Sequence, residues 1–232
     1  MPDFSKRSTL PELMDETGVA KHEIHQALHE LENVNTLLGG YSVILNALNT
    51  INLPDREIII MDMGCGGGDM LRAIAKWANK KGKKVKLIGV DRNPEMTLFA
   101  FEKSKLFNNI SFVTADVFDE NLKNFKPDIV MNSLFCHHFD KDELIKLVIR
   151  MYELAKLSVI INDLHRHWFA YYSIKWITQM VSKSYLVKYD APLSVARSLT
   201  KNEWQEIFEA NFLNQTIIKW MWAWRWQIII HK

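Results

Sequence analysis

Short apolar runs alternate with helical patterns through the middle of the chain, and this alternation constrains the fold more than any other feature. Five runs predict buried strands: EIIIMDM, VKLIGVD, ISFVTAD, PDIVMNS and LSVIIND. Segments with apolar residues three and four positions apart, such as DMLRAIAKWANKKG and KDELIKLVIRMYELA, predict helices between them. Strand–helix–strand repeats of this length indicate an α/β fold, a parallel sheet with helices on both faces.

Two flanking regions depart from this alternation. Residues 1–52 contain an amphipathic helix that Gly39-Gly40 should stop, followed by a second helix, and we expect an N-terminal helical cap there. Residues 164–199 are rich in aromatic side chains and mostly helical in their period. They predict a helical insertion after the fifth strand.

The last segment, residues 200–232, predicts a helix and a hairpin. Thr200 followed by Glu203 is the pattern of a capping box at a helix start. The two alternating apolar segments after that helix are joined too tightly for anything but an antiparallel pair. We therefore expect one domain, residues 1–232, built around a core at residues 56–163.

Composition excludes several classes of protein. Hydrophobic residues make up 48% of the chain, and 29 basic residues nearly balance 27 acidic ones, so no global field favours nucleic acid. No apolar run approaches the ~20 residues of a membrane span, and the N-terminus lacks a signal-peptide core. The only cysteines, Cys65 and Cys136, favour a reducing compartment. We expect a soluble cytoplasmic protein with no nucleic-acid partner and no stable membrane insertion.

The first strand runs directly into a glycine turn, GCGGG, which suits close approach of a ligand to the backbone. The dinucleotide fingerprint G-x-G-x-x-G fails here, because counting from Gly64 the sixth position is Asp69. No basic residue lies in the turn, which disfavours phosphate. The pattern that fits is acid-x-Gly-x-Gly-x-Gly, formed by Asp62, Gly64, Gly66 and Gly68. A carboxylate at this strand end suits a ligand with an ammonium group.

Further acids stand where the next strands end. Asp91, with Arg92 beside it, closes the second strand, and a carboxylate there can accept both hydroxyls of a ribose. Asp116 closes the third strand and precedes Val117, a pair suited to an adenine amino group and ring nitrogen. Open parallel sheets bind ligands at their carboxyl edge, so these acids predict one site for an amino acid, a ribose and an adenine.

These motifs resemble those of class I S-adenosylmethionine-dependent methyltransferases over about residues 56–163. The resemblance implies a Rossmann-like, seven-stranded, mostly parallel sheet with an antiparallel last strand, and S-adenosylmethionine as cofactor. The core is similar to the ubiquinone/menaquinone-biosynthesis group. The flanking ELENVNTLLGGY, NDLHRHWFAYY and YDAPLSVARSL resemble bacterial methyltransferases of polyketide and other secondary-metabolite pathways. The implied cofactor residues are Asp62, Gly64 and Gly66 at the methionine portion, Asp91 and Arg92 at the ribose, Asp116 and Val117 at the adenine, and Asn132 at the methionine end.

The absence of certain family motifs narrows the range of possible methyl acceptors. Amino-methylating nucleic-acid enzymes of this family carry Asn/Asp-Pro-Pro-aromatic after the fourth strand, where this chain has NSLF. Metal-dependent catechol enzymes carry Asp-Asn after the fifth strand, and here Asn162-Asp163 stands in the reverse order, so we expect no metal. The aromatic stretch HRHWFAYYSIKWITQMV suits a flat apolar acceptor. A helix that covers the core, a homodimer contact and a membrane-interface helix remain alternatives.

Two histidine clusters offer a general base for a phenolic acceptor. His137 and His138 follow the fourth strand, and His165 and His167 follow the fifth. We expect Asp163 to orient His165 as the base, with His138 as the alternative. This predicts O-methylation of a small aromatic, phenolic or quinonoid metabolite. The alternatives are C-methylation of a quinone-type ring and a non-catalytic partner or regulator that binds S-adenosylmethionine. An NAD-dependent dehydrogenase remains an alternative only if a turn without the third glycine of the fingerprint can bind a dinucleotide.

Overall fold

A seven-stranded sheet forms the centre of the molecule in the computed structural model, which describes residues 2–16, 18–211, 213 and 215–232. The strands are Ile58–Met63 (β1), Val85–Asp91 (β2), Ile110–Thr114 (β3), Ile129–Ser133 (β4), Ser158–Leu164 (β5), Thr216–Met221 (β6) and Arg225–His231 (β7). Their order across the sheet is β3-β2-β1-β4-β5-β7-β6. Strands β1 to β5 pair in parallel, and β7 runs antiparallel to β5 and β6. The predicted Rossmann-like sheet with an antiparallel last strand is confirmed.

Eight α-helices surround the sheet in the described residues. They are Lys21–Leu37 (α1), Tyr41–Thr50 (α2), Asp69–Lys81 (α3), Pro94–Lys103 (α4), Lys141–Leu154 (α5), Trp168–Val181 (α6), Tyr185–Arg197 (α7) and Lys201–Ala210 (α8). Three short 3-10 helices lie at Leu13–Asp15, Glu120–Phe125 and Cys136–His138. No helix of the described ranges combines the length and the apolar character that crossing a bilayer requires.

Both faces of the sheet are buried, as continuous apolar strands require. In β1, Ile58 and Ile60 pack with the buried side chains of α2 and α3. Met61 and Met63 point to the opposite face and pack with α5 and α8. The capping box at the start of α8 is present, with the Glu203 carboxylate accepting from the Thr200 backbone N–H at 2.7 Å.

The order of strands creates the position of the site. β1 pairs with β2 on one side and with β4 on the other. The chain leaves β1 toward β2 and leaves β4 toward β5, so these two connections diverge at the carboxyl edge and open a crevice between them. The N-terminal segment and the region after β5 lie over this edge. α1 contacts α7, α6 contacts α7, and the Leu13–Asp15 turn also packs against α7.

Candidate functional site

A cavity of about 770 Å³ opens at the carboxyl edge of the sheet. It is lined by the glycine turn after β1 and by residues at the ends of β2 and β3. Residues of the Glu12–Asp15 segment, the His137–His138 turn, α6 and α7 line the same cavity. The volume lies within the ~300–1,000 Å³ typical of small-molecule sites.

The glycine turn has two differently constrained positions. Gly64 and Gly66 both have positive φ, +72° and +48°. A Cβ at Gly64 would lie 2.3 Å from the Phe135 ring, whereas a Cβ at Gly66 would meet no atom within 4 Å. The Asp91 carboxylate accepts from the Gly66 N–H at 2.9 Å and so holds the turn. The absence of a side chain at Gly64 is therefore needed for the packing of Phe135, whereas the space beside Gly66 is open and belongs to the cavity.

Two buried acids lie beside this turn. Asp62 is 1% exposed, and its Oδ1 has no hydrogen-bond partner among the described residues. Burial, with Asp69 and Asp91 nearby, raises its pKa well above the ordinary value. Burial likewise raises the pKa of Asp91, although the N–H groups of Asn93 and Gly66 oppose this. Acids held in this way favour a ligand that brings positive charge and hydroxyl donors.

The remaining residues of the predicted cofactor half also reach the cavity. Asp116 and Val117 both line it, and Asp116 Oδ1 accepts from the Phe118 N–H at 2.8 Å. Arg92 lies at the rim, where its largely exposed side chain approaches Asp15 at 3.8 Å. The structure thus brings together seven of the eight residues predicted to bind the cofactor.

Asn132 is the exception, and its predicted place is wrong. Its side chain is fully buried, with Nδ2 at 3.1 Å from Cys136 Sγ and 3.3 Å from Met151 Sδ. Alternation along β4 turns this amide toward the α5 face of the sheet. The next residue, Ser133, lines the cavity instead.

The predicted pairing of Asp163 with His165 is also wrong. Asp163 is fully buried and lies 2.7 Å from His137 Nδ1, and it accepts from the His137 backbone N–H at 2.9 Å. β5 ends at Leu164, and a bridge between His165 and Leu199 carries the chain away from the cavity.

His165 is not among the residues that line the cavity. Its ring lies 4.6 Å from that of Trp226, and its Nδ1 has no partner among the described residues. Burial, with the charges of His167 and Arg166, lowers its pKa to about 4. A neutral imidazole outside the cavity does not meet the geometric requirement for a general base.

His138 does line the cavity and has a carboxylate partner. Its Nδ1 lies 2.8 Å from Asp15 Oδ2, and its side chain is 23% exposed. Burial alone would lower the pKa of His138, but the hydrogen bond to Asp15 and the charge of Glu12 outweigh it and raise the pKa. An Asp–His pair facing an acceptor cavity is the arrangement that was expected at Asp163 and His165.

Glu12 and Asp15 were missed from the sequence. They belong to the segment PELMD, which has no helical or strand period and no recognised motif. Glu12 is 5% exposed and accepts from Ser194 Oγ at 2.9 Å. The apolar pair Leu13 and Met14 between these acids is the local sign that the segment packs against the rest of the protein, where both side chains are half-buried.

The side chains of Glu12, His137 and His138 form a cluster that has the composition of a metal site. One ligand atom from each lies within 4.8 Å of the others. Each also has a protein partner: Ser194 for Glu12, Asp163 for His137 and Asp15 for His138. The two Nε2 atoms lie 3.5 and 3.6 Å from the Glu12 carboxylate. The absence of a metal stays a prediction.

The aromatic stretch after β5 contributes less to the cavity than its sequence indicates. Phe169 lines the cavity. Trp168, Tyr172 and Trp176 are 56%, 41% and 67% exposed and point outward from α6. The inner face of this helix carries smaller side chains: Ala170, Ser173, Ile174 and Ile177.

The comparisons with known proteins agree with this fold. Residues 54–211 match the family model described as a methyltransferase domain. No curated protein matches the sequence significantly. Among solved structures, a protein from Methanococcus maripaludis, provisionally assigned as an S-adenosyl-L-methionine-dependent methyltransferase, superposes with a TM-score of 0.64 at 16% identity, covering 98% of this chain and 97% of that one.

Two further structures show the same fold. A protein from Nostoc punctiforme, provisionally assigned as an O-methyltransferase, superposes with a TM-score of 0.65 at 14% identity. The match covers 95% of this chain but only 63% of the length of the Nostoc protein. The plantazolicin methyltransferase BpumL, solved in complex with SAH, superposes with a TM-score of 0.57 at 21% identity, and the match covers 86% of this chain and 78% of BpumL. The chain belongs to the methyltransferase domain family and has the fold of class I S-adenosylmethionine-dependent methyltransferases.

Proposed function

We propose that this protein transfers a methyl group from S-adenosylmethionine to an oxygen of a small aromatic, phenolic or quinonoid metabolite. The observation that carries the proposal is one cavity that is lined both by the glycine turn and by the His138–Asp15 pair. When bound, the cofactor supplies an activated methyl group on a sulfonium. The protein must then align the acceptor, which in favourable cases contributes ~7–11 kcal/mol.

The residues at the glycine turn fit this cofactor. The unpaired Oδ1 of buried Asp62 requires a partner with positive character. Asp91 stands at the end of β2, where its carboxylate oxygens can accept hydrogen bonds from the two hydroxyls of a ribose, and Asp116 with Val117 stands where an adenine would lie. The open side of Gly66 leaves room for the cofactor against the backbone.

The other half of the cavity fits an apolar, flat acceptor. Several apolar side chains line it: Met14, Phe139, Leu164, Phe169, Ile174, Ile177 and Val195. These apolar side chains would orient an aromatic metabolite by shape and help to exclude water from the reacting oxygen. The finding that a structural relative is provisionally an O-methyltransferase is consistent with an oxygen acceptor.

His138 is the base we propose for the acceptor hydroxyl. With Nδ1 donating to Asp15, Nε2 carries the lone pair that takes the proton from the hydroxyl, since Glu12 Oε2, at 3.6 Å from Nε2, is beyond hydrogen-bond distance. Asp15 and Glu12 stabilise the imidazolium that forms. A positioned base typically adds ~10²–10⁴-fold to the rate.

The pH dependence of kcat/KM, measured with radiolabelled S-adenosylmethionine and a panel of phenols and hydroxyquinones, tests this assignment. The wild-type rate should rise with pH through a pKa above the ordinary ~6.5, because the folded protein favours protonated His138. His138→Gln should lower kcat ~10²-fold or more and remove this rise. Asp15→Asn should move the rise to lower pH, since the carboxylate that favours the imidazolium is lost.

Three controls sharpen the experiment. His165→Gln should keep both the rate and its pH dependence, and a larger loss for His165→Gln than for His138→Gln would contradict the proposal. Affinity for SAH, measured by calorimetry, should change less than about twofold in the His138 variant, because the base does not bind the cofactor. Enzyme dialysed against EDTA should keep its rate; a loss that Zn²⁺ or Mg²⁺ restores would place a metal in the Glu12 cluster.

Product analysis separates the alternatives. C-methylation would give a product whose hydroxyls all remain titratable. A non-catalytic binding protein would bind SAH with no transfer of label to any member of the panel.

A further inference from the structure

Arg225 is a buried cation that the proposed chemistry does not use. It is the first residue of β7, is 3% exposed and lines the cavity. Its Nε and Nη1 are buried without a hydrogen-bond partner in the described part of the chain. A guanidinium carries five N–H donors, so this side chain lacks partners that a protein interior normally provides.

The groups around Arg225 do not neutralise it directly. Asp69 lies near enough to influence its pKa, but Asp69 Oδ2 already accepts from Tyr41 Oη at 2.9 Å and from Asn35 Nδ2 at 3.2 Å. The second acid nearby, Asp163, is bonded to His137. Burial lowers the pKa of Arg225 to about 10, with these acids opposing the shift, so the side chain is cationic at neutral pH.

The sheet explains why this cation reaches the cavity. β7 runs antiparallel to β5, so it begins at the edge where the parallel strands end, and Arg225 pairs with Leu164 in the register. The side chain at the next position, Trp226, points to the other face and donates to the Leu199 carbonyl at 3.0 Å. Arg225 therefore enters the cavity from the sheet itself.

A carboxyl group and a guanidinium with unpartnered atoms line the same cavity. Asp62 Oδ1 and Arg225 Nε and Nη1 are buried without a hydrogen-bond partner among the described residues, and the glycine turn lines this cavity as well. That pattern suits a zwitterion, and planar carboxylates match the fork of a guanidinium. Building on the proposed cofactor, we propose that Arg225 binds the carboxylate of the amino-acid end of S-adenosylmethionine.

The test compares two ligands that differ only in that carboxylate. Binding of S-adenosylmethionine and of its decarboxylated form is measured by calorimetry, without acceptor, for the wild type and for Arg225→Met. The wild type should bind the carboxylate-bearing ligand at least ~10-fold more tightly, a magnitude typical of hydrogen bonds to charged groups. Arg225→Met should lose at least ~10-fold in affinity for it, bind the decarboxylated form nearly as the wild type does, and so erase the preference. Arg225→Lys should be intermediate.

Stability separates a binding role from a structural one. Without ligand, Arg225→Met should melt at the same temperature as the wild type or higher, because it removes a buried cation that has no partner. A structural role would lower that temperature. Arg56→Met, which removes a half-exposed arginine outside the cavity, is the matched control and should keep the ligand preference.

Distinct outcomes would overturn the inference. Equal losses for both ligands in Arg225→Met would mean that Arg225 does not recognise the carboxylate. Unchanged cofactor affinity with a raised acceptor KM would assign Arg225 to an acidic group of the acceptor. A wild type that binds neither ligand would overturn the proposed function as well.

Discussion

Two glycines of the GCGGG turn have different roles, one in packing and one at the cavity. Gly64 and Gly66 both need the left-handed region, where a residue with a Cβ costs ~1–2 kcal/mol. Only Gly64 also packs against an aromatic ring, since Phe135 occupies the space of its missing Cβ. The two positions therefore separate the stability of the turn from its contact with the cofactor.

Alanine at each position gives a matched prediction. Gly66→Ala should lower the free energy of unfolding by only ~1–2 kcal/mol while lowering S-adenosylmethionine affinity at least tenfold, because its Cβ enters the cavity. Gly64→Ala adds overlap with a ring, a further ~1–3 kcal/mol, and should be markedly less stable. Urea unfolding and calorimetry measure the two effects. Equal affinity of Gly66→Ala and wild type would show that the cofactor does not approach this position.

Among the elements, α7 holds the segment that carries Asp15, the partner of the proposed base His138. Asp190 of this helix accepts from the Leu13 N–H at 2.8 Å and from the Met14 N–H at 3.0 Å. These bonds fix the 3-10 turn that ends at Asp15, the partner of His138. Asp190 is thus a positioning residue that acts through the N-terminal segment.

Removing the hydrogen bonds that Asp190 accepts should impair proton transfer to His138 and leave cofactor binding intact. Asp190→Ala should lower kcat ~10-fold and move the rise of the pH–rate profile to lower pH, because Asp15 is no longer held against His138. SAH affinity should stay within about twofold of the wild type. Asp190→Asn, which keeps one acceptor oxygen, should recover part of both effects. An unchanged pH profile in Asp190→Ala would mean that the segment is held by other contacts.

For the whole molecule, the unsatisfied charges of the cavity link ligand binding to stability. Asp62 and Arg225 are buried without partners in the described residues, so the empty protein carries a cost that a matching ligand relieves. At a ligand concentration 100 times its Kd, SAH should stabilise the fold by ~2.7 kcal/mol.

Thermal melting measures this linkage directly. For a chain of 150–250 residues each kcal/mol shifts Tm by ~2–4 °C, so saturating SAH should raise Tm by ~5–10 °C. NADH at the same concentration should raise it by less than ~1 °C, because the turn lacks the dinucleotide fingerprint. A shift with NADH and none with SAH would reverse the choice between the two cofactors.

The strands, the glycine turn and the acids at the strand ends were readable from the sequence, because each depends on local rules. Apolar runs of strand length must be buried, parallel strands place their ends at one edge, and a glycine turn after the first strand leaves the backbone open. Asp62, Asp91 and Asp116 therefore reach the cavity as predicted. The sheet class and its antiparallel last strand followed from the same local patterns together with the family resemblance.

Only the tertiary structure decided the acceptor side of the cavity, because its contacts join residues far apart in the chain. We expected Asp163 to orient His165, but in the fold Asp163 lies 2.7 Å from His137 Nδ1, and His165 forms a bridge with Leu199. Asp15 meets His138 across 123 positions, a contact that no period or motif encodes. In the sequence Arg225 is one residue of a predicted strand, and only the pairing of β7 with β5 places its cation in the cavity that the glycine turn lines. Local patterns determine which elements form, whereas the assembly of those elements determines which side chains meet.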